Sequence, residues 1–117
     1  MLNSLLRSPK CRQIGQIELN LSIDGVATTP VASGPDVAIV ESITDGGVGV
    51  YTIVFKEPAK MNLHVAAITS LTTRALFHVA AVSKNSVTIH ATNDANSAID
   101  AQFNVQIIWF DQLSYFF

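Results

Sequence analysis

The side chains of this 117-residue chain that could do chemistry are three histidines, one cysteine and a scatter of carboxylates. His64, His78 and His90 are the candidates for metal ligation or proton transfer. A zinc site takes three or four ligands at defined spacing, often paired within one turn or hairpin. These histidines fall on three separate predicted strands with no cysteine beside them. Neighbouring strands could bring two together, and a third ligand would then have to come from Asp or Glu. A nucleophile–base pair needs Ser or Cys beside His, oriented by an acid. No Ser stands in a G-x-S-x-G elbow, and Cys11 lies close to a terminal arm that is a poor place to hold a rigid catalytic group. Asp45, Asp94, Asp100 and Asp111 fall in turns, where Asx side chains accept hydrogen bonds from their own backbone. The competing reading is a carboxylate pair for glycoside hydrolysis. Asp45-Gly46-Gly47-Val48-Gly49 is glycine-rich, but a phosphate loop also needs Lys-Ser/Thr and a following helix. Asp94-Ala95-Asn96 lacks the spaced oxygens and closing Glu of a calcium loop. The expectation is therefore a non-enzyme with no catalytic, cofactor or metal residues.

The elements that would position these residues all read as strands. Ile17, Leu19, Leu21 and Ile23 alternate with Glu18, Asn20, Ser22 and Asp24, and period two means one dry face and one wet face. Asp24-Gly25 ends that run, and residues 26–35, rich in Thr, Pro, Ser and Gly, read as a loop or irregular edge. Residues 37–43 form the next strand. Asp45-Gly46-Gly47 then makes a hairpin turn, since these residues tolerate positive φ. Residues 48–55 return with both faces largely apolar, which predicts a central strand between layers. The segment 56–60 carries Pro58 and is a connection. Residues 64–71 and 75–82 are two strands around Thr72-Thr73-Arg74, with Thr, Val and Ile disfavouring helix. Val87, Ile89 and Ala91 alternate with Thr88, His90 and Thr92. Phe103, Val105, Ile107 and Trp109 alternate with Gln102, Asn104 and Gln106, and their bulk should anchor the core. Seven or eight strands with a turn signal about every ten residues predict a single-domain antiparallel β-sandwich, jelly-roll-like, over residues 11–117.

Composition narrows the function classes. Hydrophobic residues make up 49% and charged residues only 14%, well below the roughly 25% charged of an average soluble domain. Burial of surface against other subunits would account for that shortage. A net charge of −2 with no basic stripe argues against a nucleic-acid partner. No run approaches the roughly 18 apolar residues of a membrane span, and the first seven residues lack a signal peptide's apolar run. Cys11 is the sole cysteine, so an intrachain disulfide is excluded. A free thiol is expected, with an interchain bond as the alternative.

The ends carry the candidate protein contacts. Residues 1–10 read as an N-terminal arm, with Leu2, Leu5 and Leu6 ahead of Ser8-Pro9, which stops any helix. The arm either packs on another chain or frays. The chain closes on Tyr115, Phe116 and Phe117, and three adjacent aromatics are costly in water. They either fold back on Trp109 and Phe110 or dock on a neighbour.

Three stretches carry a family resemblance. They are Gly49-Val50-Tyr51-Thr52-Ile53-Val54-Phe55-Lys56-Glu57-Pro58, then Ser86-Val87-Thr88-Ile89, and the closing Ala101-Gln102-Phe103-Asn104-Val105-Gln106-Ile107-Ile108-Trp109-Phe110-Asp111. In this cadence, residues 47–111 resemble the small head-decoration (cement) proteins of short-tailed bacteriophages, and similar modules occur in phage tail fibres. The resemblance implies a self-associating β-sandwich, dimer or trimer, on the outer face of an icosahedral virion shell. It would be made in the host cytoplasm and would staple neighbouring major capsid proteins together. It brings no catalytic residues. The alternative is a tail-fibre module that binds a receptor or glycan, with Tyr51, Trp109 and Tyr115 as candidate stacking side chains.

Overall fold

The structure, a computed structural model, describes residues 12–59, 62–71 and 74–115, the side chains of 12–15 and 111–115 excepted. Eight strands follow one another: β1 (Arg12–Asp24), β2 (Val31–Ser33), β3 (Val40–Asp45), β4 (Val50–Phe55), β5 (Asn62–Ser70), β6 (Leu76–Val82), β7 (Ser86–Thr92) and β8 (Gln102–Tyr115). No α-helix occurs among the described residues. The strands form two antiparallel four-stranded sheets, β2-β1-β8-β5 and β3-β4-β7-β6. Their inner faces meet as a β-sandwich.

The period-two runs fill the interior as their alternation requires, except that Ile17, at the ribbon end of its run, is 51% exposed. From the first sheet come Leu19, Leu21, Ile23, Leu63, Phe103, Val105, Ile107 and Trp109. From the second come Tyr51, Ile53, Phe55, Val87, Ile89 and Ala91. Phe55 meets Trp109 edge-on with ring centroids 5.7 Å apart, and Tyr51 lies 5.6 Å from Phe103. The Trp109 indole N–H finds no acceptor among the described residues.

Three departures from the sequence reading have physical causes. Residues 37–39 form a single 3₁₀ turn rather than the start of a strand, because Gly34-Pro35-Asp36 reverses the chain just ahead of them and the Val37 amide bonds back to the Gly34 carbonyl. Residues 31–33 take the irregular-edge alternative of the 26–35 reading and add a three-residue edge strand to β1. β4 does sit centrally in its sheet, but only Tyr51, Ile53 and Phe55 are buried. Val50, Thr52 and Val54 lie half-buried on the outer face. Lastly, β1 and β8 run longer than their hydrophobic alternation, pairing from Asp24–Gln102 out to Arg12–Tyr115. Among the described residues, β5 follows β8 as far as Asn62–Phe110. The ends of β1 and β8 therefore continue as a two-stranded ribbon, and the molecule measures 53 × 25 × 23 Å.

Candidate functional site

Most polar side chains with a place in the sequence reading are committed to the fold. Asp45 Oδ1 accepts the Gly47 amide at 2.9 Å, closing the β3–β4 turn in which Gly47 and Gly49 take positive φ. Asp24 Oδ1 accepts the amides of Val26 and Ala27. A hydrogen bond from Gln102, with those two amides, holds the Asp24 carboxyl below its ordinary value. Asn93 closes the 93–97 loop by accepting the Ala95 and Ser97 amides. Asp94 and Arg74 form an ion pair at 3.7 Å with both side chains mostly in solvent, where such pairs contribute at most about 1 kcal/mol.

Two of the expected turn carboxylates are not in turns: Asp111 lies within β8, and Asp100 bonds groups far along the chain. Its Oδ1 accepts the Gly49 amide at 3.1 Å and the Tyr51 hydroxyl at 3.2 Å. The same phenol oxygen accepts the buried Ala101 amide at 3.2 Å and lies 3.3 Å from the Gly25 carbonyl. Tyr51 thus ties the ends of β1, β4 and β8 together. Burial pushes its phenol up to about 12, with Asp100 and Asp45 adding to the rise and the Ala101 amide opposing it. Tyr51→Phe should destabilise the fold by about 1–3 kcal/mol, because it takes the phenol acceptor away from the buried Ala101 amide. The pH dependence has a definite sign. The unfolded phenol ionises near 10 and the folded one near 12, so this contribution is full below pH 10 and is lost as pH climbs toward 12. Urea melts of wild type and Tyr51→Phe between pH 8 and 12 check this: the variant should lack that alkaline decline.

The histidines divide. His78 and His90 stand opposite each other on β6 and β7, ring centroids 6.1 Å apart. His64 lies on β5, edge-on to Phe110 at 5.2 Å. Two histidines are thus brought together and the third is not. Among the described residues no group of three or more His, Cys, Asp or Glu side chains is placed to hold a metal ion. Of the candidate stacking aromatics, Tyr51 and Trp109 are buried in the core.

The candidate contact residues Leu2, Leu5, Leu6, Phe116 and Phe117 lie outside the described residues, as does Cys11. Tyr115 is placed by its backbone, opposite Arg12 at the end of the ribbon. Residues 1–11 and 116–117 are consequently attached to one and the same end of the β1–β8 ribbon.

Two surface features were not anticipated. On the outer face of the first sheet, Asn20, Ser22, Thr69, Asn104 and Gln106 line a polar trough of about 320 Å³ walled by Pro35. Several of its groups already serve one another: the Ser22 hydroxyl donates to Asn104 Oδ1, and Gln106 Nε2 donates to Glu18. The second feature lies between the edges of the two sheets, where β5 and β6 leave an open groove of about 390 Å³. Every residue lining it is Val, Ala, Ile, Leu or Phe. The available signal was the absence of Asp, Glu, Lys and Arg from residues 62–71 and 75–82.

Comparison of the chain with protein-family models, with curated proteins and with solved structures found no match.

Proposed function

We propose that this chain is a structural, self-associating β-sandwich subunit that decorates the outside of a bacteriophage head and staples neighbouring major capsid proteins. The observation that carries this reading is the β1–β8 ribbon. It continues past the last described β5 pair, and it joins the leucine-bearing N-terminal segment and the aromatic C-terminal residues to one tip. At about 3.4 Å per residue, the ribbon beyond Phe110 adds roughly 17 Å of reach. A body seated on one capsid subunit can thereby present Leu2, Leu5, Leu6, Tyr115, Phe116 and Phe117 to the next. Each such contact is modest, and many copies on one shell make the sum strong. The low charge content and the resemblance of residues 47–111 to head-decoration proteins support the same reading.

The tail-module alternative would use the polar trough beside Pro35 as a glycan site. It has less support, because Tyr51 and Trp109 are unavailable as a stacking platform.

The test mixes purified protein with undecorated phage shells and pellets them. Wild type should co-sediment in fixed stoichiometry and raise the shells' melting temperature. The combined variant Leu5→Ser, Leu6→Ser, Phe116→Ser, Phe117→Ser should bind at least about tenfold more weakly, since burying one such side chain is worth about 1.5–3 kcal/mol. Its own melting temperature should be little changed. Wild-type protein that ignores shells and binds host cells or glycans would replace this reading with the tail module.

A further inference from the structure

The two long sides of the sandwich are built differently. On one side lie the edge strands β2 and β3. β2 has three residues between Pro30 and Pro35, and β3 carries Glu41 and Asp45. Short length, flanking proline and charge are the usual devices that stop an edge strand from pairing with another chain. Pro30 is buried on this side, and Ala32 and Ile39 pack against the interior. Val31 and Val37 are exposed there, but among Pro30, Pro35 and Asp36.

The other side lacks the short length, the proline and the charge, and shares with β3 only a one-residue bulge in each strand. β5 and β6 have nine and seven residues and contain no proline and no Asp, Glu, Lys or Arg, their ionisable side chains being His64 and His78. Each carries a one-residue bulge at an alanine, Ala66 in β5 and Ala80 in β6. These bulges re-aim the strands where the sheets part, and between them the groove opens onto Val65, Ile68, Phe77 and Val79. Leu71, Leu76 and Val82 are about half exposed on the same two edge strands and the residue after β5. Arg74, just ahead of β6, is paired with Asp94.

From this asymmetry we infer that the β5/β6 side is the surface on which a second copy of this chain docks, about a two-fold axis. An isologous interface sets each patch against itself. A charged edge would oppose its own charge across the axis, whereas a charge-free apolar one is self-complementary. Groove then faces groove, and Leu76 of each copy is removed from water. The asymmetry also decides the stoichiometry. Once two copies have met, only the blunted β2/β3 sides remain outward, so the assembly closes at two instead of growing into a filament. This inference rests on the chain being a self-associating module. It uses a different surface from the ribbon tip, so docking to shells and pairing in solution can fail separately.

Sedimentation equilibrium on the intact chain tests it. Wild type should show twice the 12.6 kDa chain mass at micromolar concentration. Leu76→Glu changes a side chain that is 59% exposed in the single chain, and so should leave the fold's melting temperature nearly unaltered. It should weaken pairing roughly a hundredfold or more, because two unpaired carboxylates are buried per dimer. Val31→Glu, at a 53% exposed position on the blunted side, should pair as wild type does. A wild-type monomer at all concentrations overturns the inference even if shells are bound. So does a Leu76→Glu variant that pairs normally, or a Val31→Glu variant that does not.

Discussion

Replacing Gly49 by alanine is expected to cost about 3 kcal/mol or more, combining a left-handed backbone penalty of about 1–2 kcal/mol with an overpacking penalty of about 1–3 kcal/mol. Gly49 has φ +71°, and a Cβ there would stand 2.5 Å from the Ala91 carbonyl oxygen and 2.7 Å from that of Ile99. Both obstacles are backbone, so neither can rotate away. The close approach exists because Gly49 is stitched on both sides. Its carbonyl accepts the Ala91 amide at 2.8 Å, and its own amide donates to Asp100. The β3–β4 turn, the end of β7 and the approach to β8 converge on this one residue. Small domains are stable by about 5–15 kcal/mol in total, so Gly49→Ala should show a sharply lowered urea midpoint. Gly47→Ala separates strain from crowding. Gly47 has φ +118°, but a Cβ there would meet nothing within 4 Å, so it should lose stability through backbone strain alone.

Phe103→Ala is expected to be equally damaging, at about 3–5 kcal/mol for an aromatic removed from a packed interior. Phe103 is fully buried on β8, opposite Ile23 of β1 and Ser70 of β5. Its ring lies 5.6 Å from Tyr51 and 5.0 Å from Phe77 of the facing sheet. Truncation therefore opens a void bounded by both layers, and Phe77, which is only partly buried on edge strand β6, loses its inward neighbour. The melting temperature should fall by on the order of 10 °C or more. Ile17→Ala, on the same sheet but 51% exposed, should change stability by no more than about 0.5 kcal/mol.

Legibility from sequence followed the range of the interaction. Strands whose alternation is strict, such as Ile17-Leu19-Leu21-Ile23 and Phe103-Val105-Ile107-Trp109, are readable because period two encodes the inward face locally, although Ile17 lies beyond the core and is half exposed. The Asp45-Gly46-Gly47 hairpin was readable because turn geometry is local too. Val37-Ala38-Ile39 misled because its apolar residues suit a strand, while the preceding Gly34-Pro35-Asp36 bends the chain into a 3₁₀ turn. Tyr51 gave no sign of its role as a tie, since Asp100 and Ala101 lie far along the chain. The open groove was hidden for a related reason. The charge-free runs at 62–71 and 75–82 are visible in the sequence. That β5 and β6 form edges on one side depends on β8 inserting between β1 and β5, and on β7 lying between β4 and β6, which no local pattern specifies.

That open side is the most consequential feature of the fold. It joins the low charge content of the chain to a definite place on its surface, on the side opposite the blunted β2 and β3 edges. Amide hydrogen exchange at low and high protein concentration tests it most directly. If a second copy covers the β5/β6 side, exchange of amides in β5 and β6 should slow as concentration rises, while those of β2 and β3 should exchange at the same rate throughout. Exchange in β5 and β6 that is fast and unchanged across that range would contradict the account, and slowing confined to β2 and β3 would place the partner on the opposite side.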